Sequence, residues 1–170
     1  ISPEIFQHFN PAMIVLLTPI IVGLFAWLNS RKMEPSAPRK IGIGMIITAF
    51  GFVILLVGSI GLDPFKELMP DSPRVSSYYL ISTYFTLTIA ELFLSPMGIS
   101  FVSKVSPPKY QGLMQDGWLG ATALGNQMLW VGSYLYERVA IWQVWSIFIV
   151  LSLIAAAFIF SIMKKLEKVS

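Results

Sequence analysis

Five apolar runs follow one another along the chain, at 11–28, 41–62, 75–103, 112–136 and 144–163, and leave room for little else. A hydrocarbon core about 30 Å thick is crossed by roughly 17–25 consecutive apolar residues in a helix. Each run meets that length. None alternates with period two, so a β-barrel is disfavoured. Composition agrees: of 170 residues, 55% are hydrophobic and 12% charged, and mean hydropathy is +0.71. A soluble domain carries about 25% charged residues, and disorder requires low hydrophobicity. The expected fold class is therefore an all-α membrane protein with five transmembrane helices, residues 1–170 forming one transmembrane unit.

The same arithmetic excludes much chemistry. There is no cysteine and a single histidine, His8. That removes a disulfide scaffold, a Cys-ligated zinc or iron–sulfur site and a His-based metal site. There is no phosphate-cradling glycine loop with its lysine and no Ser/His/Asp set, so neither an enzyme nor a cofactor is expected. The basic residues are divided among the edges of the runs, not clustered with aromatics, which gives nucleic acid no footprint.

The linkers carry prolines, which lack a backbone donor and restrict the preceding residue: Pro35 and Pro38 in 29–40, Pro64, Pro70 and Pro73 in 63–74, Pro107 and Pro108 in 104–111. Asn10 reads as a helix cap with Pro11 in the first helical position, and His8 as a solvated loop residue. Arg31, Lys32, Arg39, Lys40, Lys104, Lys109, Lys164, Lys165 and Lys168 fall on one side; Lys66, Arg74 and Arg138 fall on the other. Nine cations against three place the first and third linkers and the C-terminus in the cytoplasm. The chain would then enter from outside and end inside. Five crossings from an outside start, and a first residue that is Ile1 and not Met, imply further spans before Ile1.

Glu91 is the one acidic residue deep inside a run. It lies 17 residues after Arg74 and 13 before Lys104. A charge near the bilayer centre costs about 2.5–3.5 kcal/mol on insertion scales. Tyr84, Thr88, Glu91, Ser95 and Gly98 recur at helical spacing and form one polar, small-residue stripe. Such a stripe faces protein or water, not lipid. It suits a proton or cationic-substrate site, or a structural partner beyond this stretch. Pro96, next to the stripe, marks a kink that serves either a hinge or ordinary packing. Gly44, Thr48, Gly51 and Gly58 in the second run, and Gly117, Ala121 and Gly125 in the fourth, predict close helix packing. Trp27, Tyr134, Tyr136, Trp142 and Trp145 read as interfacial belt residues. By position alone Trp118 does too, beside an Asp116 that either loads a helix N-terminus or pairs with a lysine. Asn126 and Gln127 suit interhelical hydrogen bonds or a pocket lining equally.

From Phe85 to Asn126 the residues resemble a known family. The run Ala90-Glu91-Leu92-Phe93-Leu94-Ser95-Pro96-Met97-Gly98-Ile99-Ser100 is followed by Lys104, Pro107-Pro108-Lys109, Gly112-Leu113-Met114, Trp118 and Gly125-Asn126. This order is similar to the C-terminal half of the proton-dependent oligopeptide transporters, whose tenth helix carries Glu followed by Ser-Pro-x-Gly. Phe6-Gln7-His8-Phe9-Asn10-Pro11 is similar to the start of that family's eighth helix. The resemblance implies helices eight to twelve of a major facilitator superfamily bundle. It implies that Asn10 and Glu91 bind the amino end and backbone of a di- or tripeptide, with Ser95 and Trp118 lining the pocket. It also implies proton-coupled symport by alternating access in the cell membrane. The partners would then be small peptides, protons, the lipid bilayer and the N-terminal half of the same transporter. Two positions depart from the family pattern: Ala90 stands where it usually has Gly, and Gln115-Asp116-Gly117-Trp118-Leu119-Gly120 replaces Met-Gly-x-Trp-Phe-Leu. Another major facilitator proton symporter and a structural membrane subunit are the alternative readings.

Overall fold

The computed structural model describes residues 3–60 and 76–169. Six helices follow in order: α1 Pro3–Ser30, α2 Ala37–Ser59, α3 Ser77–Val105, α4 Gln111–Gln127, α5 Leu129–Tyr136 and α6 Ile141–Val169. A 3-10 turn, Pro108–Tyr110, leads into α4. No strand occurs among the described residues. Four helices are long and apolar enough to cross a membrane by length and composition: α1 over Asn10–Ser30, α2, α3, and α6 over Ile141–Lys168. The fourth apolar run, 112–136, is delivered as α4 and α5. The protein is thus an all-α membrane bundle, as the lengths of its apolar runs require. The second linker, 63–74, with Lys66 and Arg74, lies outside the described residues.

Three local expectations are corrected. Asn10 is not a cap and Pro11 is not the first helical residue, because α1 already begins at Pro3 and holds Pro11 and Pro19 in its interior. The missing donor of a proline satisfies a helix start equally at Pro3, and membrane helices tolerate interior prolines. His8 is accordingly an exposed helical residue and not part of a loop. Finally, the run at 112–136 is not one continuous helix. The Met128 N–H still reaches Leu124 O at 3.0 Å, but the Val131 N–H reaches only three residues back, to Met128 O. The helix tightens for one step just after Gly125-Asn126, two poor helix formers.

Helix α2 is the middle of the bundle, with α3 along one side and α6 along another. Its glycines permit this. A Cβ at Gly44 would stand 3.1 Å from Phe93 Cβ and 3.2 Å from Ala90 O on α3, and one at Gly42 would stand 2.9 Å from the Phe160 ring on α6. The stripe in the second run therefore packs as expected. The one in the fourth run does not: a Cβ at Gly117 or Gly125 would meet nothing within 4 Å. Against α3 lies α1, through Ile21, Phe25 and Phe93, with Ile43, Ile89 and Leu92 around them. The Phe25 and Phe93 rings meet edge to face at 5.0 Å.

The two ends differ in chemistry. At one, the α1–α2 linker, the end of α3 and the end of α6 gather. Glu167 accepts from Arg39 Nε at 2.6 Å and from Ser36 Oγ at 2.7 Å. Lys40 pairs with Glu34 and lies 4.0 Å over the Phe25 ring. At the other end Trp145 Nε1 donates to Ser59 Oγ at 3.2 Å, and Trp145 stacks on Phe52. Arg138 lies there too, 4.2 Å over the Tyr134 ring. Lys104 and Arg138 therefore sit at opposite ends of an antiparallel bundle, as the charge count predicts.

Candidate functional site

The Glu91 stripe runs along α3, and its upper part is met by α1. Asn10 Nδ2 donates to Glu91 Oε2 at 3.2 Å across 81 residues of sequence. Thr88, one turn before Glu91 and fully buried, places its hydroxyl 2.9 Å from Asn10 Oδ1 and 2.7 Å from Tyr84 O. The hydroxyl holds the acceptor end of the Asn10 amide, so the donor end turns to the carboxylate. Thr88 is the positioning residue that the sequence showed only as a stripe member. Its signal is the three-residue step to Glu91, which puts both side chains on one helical face.

This geometry also explains why Asn10 lies within α1 and not at its tip. A capping Asn would spend its side chain on its own helix, whereas here it is free to bridge to α3. Only one Glu91 oxygen is engaged among the described residues. The ion pairs among those residues, Arg39–Glu167 and Lys40–Glu34, both lie at the linker end and leave Glu91 without a cation. Glu91 and Ser95 are exposed to the open side of the bundle.

Trp118 reaches the lower part of the stripe. Its indole covers the buried Gly98, where any Cβ would collide with the ring. Gly98 is seven residues after Glu91, about 10 Å along the axis at 1.5 Å per residue. The structure thus brings Asn10, Thr88 and Glu91 into direct contact and sets Trp118 on the same stripe two turns away. Gln111 fixes the α3–α4 connection: its Nε2 donates to Ser103 O at 2.8 Å and lies 2.7 Å from Ser103 Oγ. Asp116 is exposed in the second turn of α4, past the position from which it could cap that helix.

The sequence profile of the POT family matches residues 1–158. The chain belongs to the POT family. Relatives include "Peptide transporter YePEPT" of Yersinia enterocolitica subsp. palearctica serotype O:3, 30% identical over 71% of this chain and 23% of that protein. "Dipeptide and tripeptide permease A" of Escherichia coli K12 is 27% identical over 83% of this chain and 26% of its own length. "Di-/tripeptide transporter" of Lactococcus lactis subsp. cremoris is 31% identical over 69% of this chain and 22% of its own. The chain therefore spans about a quarter of the length of the POT relatives it matches.

Proposed function

We propose that this chain is the C-terminal part of a proton-coupled symporter of di- and tripeptides in the cell membrane, working by alternating access between two halves, with its C-terminus in the cytoplasm. Membership of the POT family supports transport of peptides. The observation that carries the site assignment is the Asn10–Glu91 hydrogen bond. It holds a carboxylate that no cation of the described residues neutralises, on an exposed face of a membrane helix. A peptide ammonium supplies three donors and the missing positive charge; the Asn10 amide offers backbone groups both a donor and an acceptor. Ser95 and Trp118, on the same stripe, line the rest of the pocket. In this reading, protons and the N-terminal half complete the machine.

The test is uptake by the full-length transporter in proteoliposomes. Labelled di- and tripeptides should accumulate against their gradient when the lumen is alkaline relative to the outside. A protonophore should abolish accumulation while leaving equilibration intact. Accumulation that persists with the protonophore overturns proton coupling. Failure to equilibrate any peptide overturns peptide transport.

A further inference from the structure

At the basic end of the bundle, Lys32, Glu34, Ser36, Lys40, Ser100 and Lys104 help line a cavity of about 600 Å³. Three segments each bring a lysine to it: the end of α1, the first turn of α2 and the last turn of α3. Glu34, the one acid in this lining, is already paired with the buried Lys40. The charges of Lys32 and Lys104 face the cavity with no carboxylate bound to either among the described residues. Ser36, which precedes α2, makes no side-chain capping bond and instead donates to Glu167.

Lys32 adds an independent observation. It is the one non-glycine residue at positive φ among the described residues, at 55°. It closes α1 in a reverse turn: the Met33 N–H reaches back to Leu28 O and the Lys32 N–H to Asn29 O, both at 2.9 Å. That position strongly favours glycine, because a Cβ is crowded in the left-handed conformation. A lysine there carries its backbone cost and supplies one of the cavity's two unpaired cations.

Depth identifies the ligand. Trp27, half exposed at 51% and one turn before the cavity, has the Arg31 guanidinium 4.6 Å over its ring. An exposed Trp capped by Arg at a helix end is an interfacial anchor at headgroup level. Basic pockets between membrane helices at that level suit anionic headgroups. Ser100 and Lys104 lie about half a turn around α3 from Glu91, so the cavity is separate from the Glu91 site. We infer that this cavity binds a phosphate group, supplied by the headgroup of an anionic phospholipid, between Lys32 and Lys104.

The experiment uses delipidated full-length transporter and native mass spectrometry, titrating phosphatidylglycerol and phosphatidylcholine. Each lysine near a charged headgroup contributes enough that losing two should weaken phosphatidylglycerol binding at least tenfold. Lys32→Gln with Lys104→Gln should show that loss and leave phosphatidylcholine unchanged. Lys164→Gln with Lys165→Gln, basic residues of the same end outside the cavity, should stay within twofold of wild type. Wild-type phosphatidylglycerol affinity in the first pair, or an equal loss in the second, overturns the site. Inorganic phosphate is the second arm. If it binds in a Lys32- and Lys104-dependent way and displaces the lipid at millimolar concentration, the lipid assignment is overturned in favour of free phosphate.

Discussion

Replacing Glu91 by Gln in the full-length transporter should weaken binding of peptides with a free amino end by roughly ten- to a hundredfold. Hydrogen bonds to charged groups contribute about 1.5–3 kcal/mol, and each 1.4 kcal/mol is a factor of about ten in affinity. Gln has nearly the same shape, and its carbonyl oxygen can still accept from Asn10 Nδ2, so the bridge between α1 and α3 is retained. What is lost is the charge. Peptides whose amino end is acetylated carry no ammonium to pair with the carboxylate, bind poorly at the outset and should change by less than about twofold. Competition against a labelled reporter peptide measures both affinities. Equal losses for the two ligands would mean that Glu91 supports the fold or the coupling step, not recognition of the amino end.

The route from sequence to site divides along physical lines. The all-α membrane class and the order of the apolar runs were legible because the hydrocarbon thickness fixes the length of an apolar run, and no soluble alternative satisfies that length and this charge content together. The number of spanning helices was not, since the run at 112–136 is divided between α4 and α5 and four helices among the described residues are long enough to cross. The Glu91 stripe was legible because helical spacing alone assigns residues to a face. The role of Thr88 was not, since the hydroxyl that orients Asn10 acts across 78 residues of chain. The start of α1 was misplaced for a related reason. Proline marks a helix start only where no tertiary contact holds the preceding turn, and Asn10 is tied to α3. In the sequence Lys40 is one of nine cations assigned to one side, yet in the fold its side chain is 5% exposed, fixed by Glu34 and the Phe25 ring. Counting cations along a chain cannot separate one that faces water from one built into a cavity. The break at Met128 is subtler still: Gly125-Asn126 weakens the helix, but no residue type marks the step at which the Val131 N–H turns to Met128 O.

The second large effect is expected at Gly98. A β-carbon there has no room while the Trp118 indole covers the α3 backbone. Gly98→Ala gains up to about 1 kcal/mol of intrinsic helix propensity, and in an unpacked position it would stabilise α3. Here overpacking costs about 1–3 kcal/mol, and the atoms that must move belong to a large, flat, half-buried ring with few alternative rotamers. Trp118 should therefore be pushed off the stripe, lowering the melting temperature of the full-length protein. If the ring lines the peptide pocket, KM should rise roughly tenfold, as displacement of a positioning group commonly does. Trp118→Ala tests the cause. Alone it should also raise KM, through loss of the ring. Combined with Gly98→Ala it should restore the melting temperature above that of Gly98→Ala alone, because the collision no longer exists. A coupling energy of about 1 kcal/mol or more in that double-mutant cycle is expected for residues in direct contact. Additive effects would place the indole elsewhere and remove Trp118 from the pocket. A restored melting temperature with KM still raised would separate the two duties of the ring, one as the filler against which α3 and α4 pack and the other as a wall of the site.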